Sequence, residues 1–178
     1  FNGRCDAIYL TTDMNAQPTA WGEAETAALR ARLQQQQTVP THQYDFVVVG
    51  GGVAGMCAAT AAARLGCRVA LVNDRPVLGG NNSSEIRVHL GGIIEKGPNE
   101  GLGRMIREFG HERSGNAQPG DYYEDQKKED FIAAEKNITL YASQRAVAVK
   151  MQGDRIASVT IQHIAVSYTH LRAHETCA

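Results

Sequence analysis

Four consecutive β-favouring residues, Phe46, Val47, Val48 and Val49, run without a break into Gly50, Gly51, Gly52, Val53, Ala54 and Gly55, and this junction constrains the chain more than any other feature. A continuous apolar, β-branched run is the mark of a parallel strand buried on both faces. Residues 56–65 are rich in alanine and are followed by Gly66, the pattern of a helix with a glycine past its C-terminus. Residues 68–73 form a second β-branched strand. Strand, helix and strand within about 30 residues make one β-α-β unit, whose crossover is right-handed in nearly all proteins. The fold class is therefore α/β, with a Rossmann-like parallel sheet.

Gly50, Gly52 and Gly55 have the spacing G-x-G-x-x-G, and the strand before and helix after them are the context that makes the match specific. Gly50 permits the tight turn, Gly52 lets backbone approach a pyrophosphate, and Gly55 lets the helix pack closely on the strand. The free N–H groups and positive dipole end of the helix, with Gly51, Val53 and Ala54 in the same turn, face the phosphates. Such a fingerprint also calls for an acid at the end of the second strand to accept from a ribose hydroxyl. Here that position is Asn73, followed by Asp74 and Arg75, so the role falls either to an amide or to a displaced carboxylate.

The remaining chain divides around this unit. Residues 8–12 read as a strand, 23–33 as a short helix and 34–40 as a linker, which puts a domain boundary near residue 42. Residues 1–41 are then the end of a preceding domain, whose lone strand suits the last strand of a β-sandwich begun before Phe1. Beyond the β-α-β unit, residues 76–97 are a Gly/Asn/Ser-rich passage, 103–109 and 125–135 are helices, and 138–142 is a third buried strand. Residues 146–150 and 156–164 alternate around Gly153 and Asp154 as an antiparallel hairpin beside the parallel sheet.

Composition limits the partners. At 178 residues, 43% hydrophobic and 21% charged, the chain has a globular balance and length for about one domain. No apolar run approaches the roughly 18 residues of a membrane-spanning helix. A formal charge of −1 gives no reason to expect nucleic acid. Four cysteines lie without a C-x-x-C pair, which excludes a zinc ribbon, and no metal site is expected.

The segment from Tyr44 through Gly55, followed by Val77, Leu78, Gly79, Gly80, Asn81, Asn82, Ser83, Ser84, Glu85 and Ile86, resembles the FAD-dependent oxidoreductases of the glutathione-reductase-like, two-dinucleotide-binding class. Within them it is most similar to a bacterial group carrying Gly-Gly-Asn-x-Ser-Ser-Glu. The resemblance spans about residues 44–164. It implies FAD as cofactor; a sugar or other small polar substrate is compatible with residues 8–12 ending a carbohydrate-binding β-sandwich. It also implies that Gly79 and Gly80, with Asn81, Asn82 and Ser83, lie along the ribityl and pyrophosphate side of the flavin, and that the backbone at Ala146 pairs with adenine. Two glycines bend sharply enough for this, and the Asn and Ser side chains offer neutral donors. Glu85, Arg87 and His89 follow the same turn, but structural roles account for them and they are not assigned to catalysis.

Two other readings stay open. One is an NAD(P)-binding dehydrogenase, against which the Gly79-Gly80 turn and the missing acid at Asn73 both argue. The other is a carbohydrate-binding module fused to a flavoprotein-like domain, which would make the intact protein periplasmic or secreted rather than cytoplasmic. Residues 166–178 resemble a translated sequencing-library adapter and are set aside as non-native, together with the His170, His174 and Cys177 spacing that could otherwise suit a metal. Residues 42–165 then form a partial FAD-binding domain. The class returns to a last parallel strand with a Thr-Gly-Asp-like end, and the chain has no such segment before the tail, so it reads as a fragment inactive alone.

Overall fold

A computed structural model of the chain describes residues 40–91, 95, 98, 101, 103–164 and 167–173. The chain divides into two compact units, Phe1–Thr38 and Val39–Ala178, and the first lies wholly outside the described residues, as do the strand and helix expected there.

The second unit is built on a parallel sheet in the order β2-β3-β4, made of β2 (Phe46–Val49), β3 (Val69–Asn73) and β4 (Ile138–Ala142). Register runs Phe46 beside Val69 and Val69 beside Ile138. Helix α1 (Val53–Arg64) makes the crossover between β2 and β3. Gly66, at φ +94°, takes the left-handed turn that closes α1, and the N–H groups of Gly66 and Cys67 donate to the carbonyls of Ala63 and Ala62.

All five residues of β3 are buried, because side chains alternate between two covered faces. Val69 and Leu71 pack with Met56, Ala59 and Ala63 of α1 and with Phe109, Phe131 and Ile132, which come from α2 (Gly103–Phe109) and α3 (Asp125–Ala133). Arg64 ends α1 between Glu108 at 2.6 Å and Glu135 at 2.7 Å, and its guanidinium holds the Glu108 carboxyl below its usual range. These pairs are solvent-exposed, so each contributes at most about 1 kcal/mol.

Ala70 and Val72 face the other way, into a cluster with Tyr44, Val159 and Ile161. These come from a second sheet in the order β1-β7-β6-β5, made of β1 (Thr41–Tyr44), β7 (Ser167–Ala173), β6 (Arg155–His163) and β5 (Gln144–Gln152). The expected hairpin is β5–β6, closed through Gly153 at φ +65°. The hydroxyls of Tyr44 and Tyr141 share a hydrogen bond of 2.8 Å beneath it.

Three features differ from the sequence reading. The expectation of burial holds for β3 but not for β2, where Phe46 is 43% and Val49 55% exposed, nor for the expected third buried strand β4, where no residue is buried and Leu140 is 37% exposed, because β2 and β4 are the outer strands of their sheet. Thr41–Tyr44 forms a strand in what read as the junction between domains. Ser167–Ala173, inside the range set aside as a tail, pairs with β1 and β6. Alternating β-prone residues pair wherever an edge is open, and that pairing is independent of their origin.

Candidate cofactor site

The carboxyl ends of parallel strands are where open α/β sheets bind ligands, and the expected residues gather there. Gly50 continues the ladder through its N–H to Val72 O at 2.8 Å, then turns at φ +116°, a conformation a side chain rarely adopts. Gly52 caps α1 with extended backbone at φ −70°, with no side-chain cap, and the first helical turn carries no acidic residue. The orphan N–H groups of that turn therefore await an external acceptor, and the helix dipole favours an anion.

The second glycine turn is sewn to the first. Gly79 N donates to Gly51 O at 2.8 Å, and Gly52 and Gly79 form a parallel bridge. Gly79 and Gly80 both have positive φ, +103° and +59°. Gly80 comes so near that a Cβ there would lie 3.1 Å from Gly52 Cα. Val53 and Ala54 open α1 beside this seam. Gly50–Gly55 and Gly79–Gly80 thus form one cradle of backbone.

The polar side chains assigned to the second turn also bond within it. Asn82 is buried and donates its Nδ2 to Val88 O at 2.9 Å, while Ser83 donates its hydroxyl to Gly80 O at 2.7 Å. The Ser83 hydroxyl hydrogen and one Asn82 amide hydrogen are thereby spent shaping the loop. What remains is an acceptor, because Asn82 Oδ1 is buried with no hydrogen-bond partner. Asn81 is exposed, with its carbonyl accepting from Val88 N at 3.0 Å.

At the end of β3, Asn73 is buried and donates Nδ2 to the carbonyls of Arg75 at 2.9 Å and Val77 at 3.0 Å. Asp74 lies 3.6 Å from Arg145, and Arg75 pairs with Glu85 at 3.0 Å. Ala146 lies across from Gly50 and Val72 around a cavity of 290 Å³. Of the three residues left unassigned, Glu85 is in that ion pair, Arg87 donates to Ser84 O at 2.9 Å and His89 bonds Asn116 at 2.8 Å.

Sequence reasoning missed the support beneath the second turn. Lys128 is wholly buried, its stem lying where a Gly79 Cβ would meet Lys128 Cδ at 2.8 Å. Its ammonium donates to Tyr123 O and lies 3.8 Å from Asp125, whose carboxylate accepts from Ser84 N at 3.1 Å. Burial pushes the Lys128 pKa down, and Asp125 opposes that shift. The available signal was spacing: Lys128 precedes Phe131 and Ile132 by three and four residues, on the inner face of α3.

An uncapped helix start, a glycine with open space before it and an unpartnered buried acceptor all fit a dinucleotide cofactor. Residues 45–176 match the family described as FAD dependent oxidoreductase. The chain belongs to that family. Its cofactor is FAD, and the fold is the α/β arrangement of FAD-binding flavoproteins. Over 68 residues the chain is 42% identical to the soluble pyridine nucleotide transhydrogenase of Ectopseudomonas mendocina, covering 38% of this chain and 13% of that protein. Over 74 residues it is 39% identical to glycerol-3-phosphate dehydrogenase 2 of Mycobacterium tuberculosis, covering 42% of this chain and 12% of that protein. The chain therefore spans about an eighth of the length of these curated relatives. Among solved structures, the open conformation of a flavocytochrome c3 fumarate reductase superposes with a TM-score of 0.53 at 16% identity, covering 83% of this chain and 35% of that one. Mycobacterium smegmatis Sdh1 in complex with UQ1 gives 0.50 at 16%, covering 76% and 33%. At that identity the likeness is one of fold.

No helix among the described residues is long and apolar enough to cross a membrane. Among the same residues, no group of three His, Cys, Asp or Glu is placed to hold a metal ion.

Proposed function

We propose that this chain carries the first part of the FAD site of a glutathione-reductase-like, two-dinucleotide-binding oxidoreductase acting on a small polar substrate such as a sugar. The observation that carries the reading is the hydrogen bond from Gly79 N to Gly51 O, which joins both glycine turns at the uncapped start of α1. Gly50, Gly51, Gly52, Val53, Ala54 and Gly55 hold the pyrophosphate through backbone N–H groups and the helix dipole. Gly79, Gly80, Asn81, Asn82 and Ser83 follow the ribityl side, with Asn82 Oδ1 accepting from a hydroxyl. Asn73, Asp74, Arg75 and Ala146 surround the adenosine end. Bound FAD would supply the redox chemistry, taking the two electrons of a hydride from the substrate. A small polar substrate is in keeping with the name of one relative, glycerol-3-phosphate dehydrogenase.

The test is the visible spectrum of a full-length protein that carries this segment. A yellow protein with stoichiometric FAD is expected. A colourless protein that takes up NAD but no FAD would overturn the reading in favour of a nicotinamide-binding dehydrogenase.

A further inference from the structure

Tyr123 ends a 3₁₀ turn (Gly120–Tyr123) just before α3, and its side chain is wholly buried. Its backbone carbonyl accepts from the Lys128 ammonium, so the residue is anchored from within α3. Its hydroxyl reaches a different part of the chain. It donates to Arg87 O at 2.6 Å, with Gly115 O a second acceptor at 3.0 Å, and it accepts from Gln118 N at 3.3 Å. Arg87 O also accepts from Ala117 N at 2.8 Å. The two residues joined there, Arg87 at φ +64° and Ala117 at φ +55°, hold a left-handed backbone that suits glycine and that other residues keep only where their surroundings fix it. Val88, the next residue, is bonded twice to the second glycine turn. Its N–H donates to Asn81 O at 3.0 Å, and its carbonyl accepts from Asn82 Nδ2 at 2.9 Å. A carbonyl accepts only from a donor, so the second bond fixes which end of the Asn82 amide is which and leaves Oδ1 as the buried acceptor with no partner.

We infer that Tyr123 is a positioning residue for the ribityl chain: its hydroxyl holds Arg87 in the left-handed turn that places Val88, and Val88 orients the Asn82 carbonyl toward a flavin hydroxyl. The strain then has a reason, since it sits one residue before the peptide group that aims the acceptor. The inference rests on the FAD reading above and assigns to that site a residue from the 3₁₀ turn before α3.

Its test compares FAD with ADP, which carries the adenosine and pyrophosphate but no ribityl chain, by calorimetry on the FAD-stripped full-length protein carrying this segment. Asn82→Ala should weaken FAD about threefold to tenfold, the loss of one hydrogen bond between neutral groups, and leave ADP unchanged. Tyr123→Phe keeps the ring and removes only the hydroxyl. It should also weaken FAD and spare ADP, and the double variant should bind FAD no more weakly than Asn82→Ala alone, because Tyr123 acts through Asn82. Arg87→Gly and Arg87→Val lose the arginine side chain alike, but glycine takes the left-handed turn without strain and valine resists it. Arg87→Gly should therefore keep the wild-type ratio of FAD to ADP affinity and Arg87→Val should lower it, a comparison that decides the matter even where Tyr123→Phe does not fold. Unchanged FAD affinity in Tyr123→Phe, additive losses in the double variant, an equal loss of ADP, or equal ratios in the two Arg87 variants each overturn the inference while the FAD reading stands. A wild-type protein that does not bind FAD overturns both.

Discussion

A Cβ on Gly55 would lie 1.9 Å from the carbonyl oxygen of Gly50, whereas one on Gly52 would meet nothing nearer than Gly80 Cα at 4.0 Å. The first glycine answers to the protein's own packing, the second to something outside it. Gly55→Ala is therefore expected to lower the melting temperature of the apoprotein, since overpacking at a backbone contact costs about 1–3 kcal/mol or more. Gly52→Val should leave that temperature near wild type and lose FAD, because its branched side chain fills the space left for the pyrophosphate. Thermal melts of both variants in the full-length apoprotein carrying this segment, with flavin occupancy after gel filtration, separate the two. Wild-type flavin occupancy in Gly52→Val would count against the cradle.

Lys128 makes α3 more than a packing element. Its depressed pKa means that, between that value and the ordinary lysine range, the unfolded chain binds more protons than the folded one. Stability should rise with pH across that window, while below it the cost of burying the ammonium is fully present. Urea midpoints of the full-length protein carrying this segment should therefore climb with pH below the ordinary lysine range. Lys128→Met, which keeps the volume and loses the charge, should remove that climb. Equal slopes in the two proteins would contradict it.

Much at this scale was readable in the sequence. Residue type located β2, α1, β3, β4 and the β5–β6 hairpin: short β-branched runs for the strands, an alanine-rich run for the helix and alternation around Gly153 for the hairpin. It missed β1, whose residues Thr41, His42 and Gln43 are polar and exposed and are ordered by pairing with β7. The loop-internal bonds of Asn82 and Ser83 were not readable, because a side chain's hydrogen-bonding capacity is visible in sequence but its local partner is not. Lys128 and Arg145 were illegible for the same reason: each reaches the site from an element distant in the chain.

At the scale of the molecule, the outer edge of β2 borders a cavity of 930 Å³ lined by Phe46, Val47, Val49, Ile156 and Val159. Phe46, Val49 and Ile156 are each more than two-fifths exposed. An aliphatic side chain left in water forfeits roughly 1.5–3 kcal/mol of burial, and three or four of them rival the 5–15 kcal/mol that hold a domain together. Residues 1–178 expressed alone are accordingly expected to aggregate or stay molten and to turn over no substrate. Light scattering and a thermal melt check this. A monodisperse product that melts cooperatively with stoichiometric FAD would show that the outer edge of β2 needs no cover.

The bond from Gly79 N to Gly51 O has a kinetic corollary. Loop amides usually trade their hydrogens with solvent far faster than those of a central ladder. Gly79 sits in a loop, yet its amide can open only when the fingerprint turn opens too. In deuterated water it should exchange on the timescale of Gly50, whose amide closes the β2–β3 ladder. Filling the cradle should slow both amides by the same factor, a signature of one cooperative unit that can be read without any turnover assay.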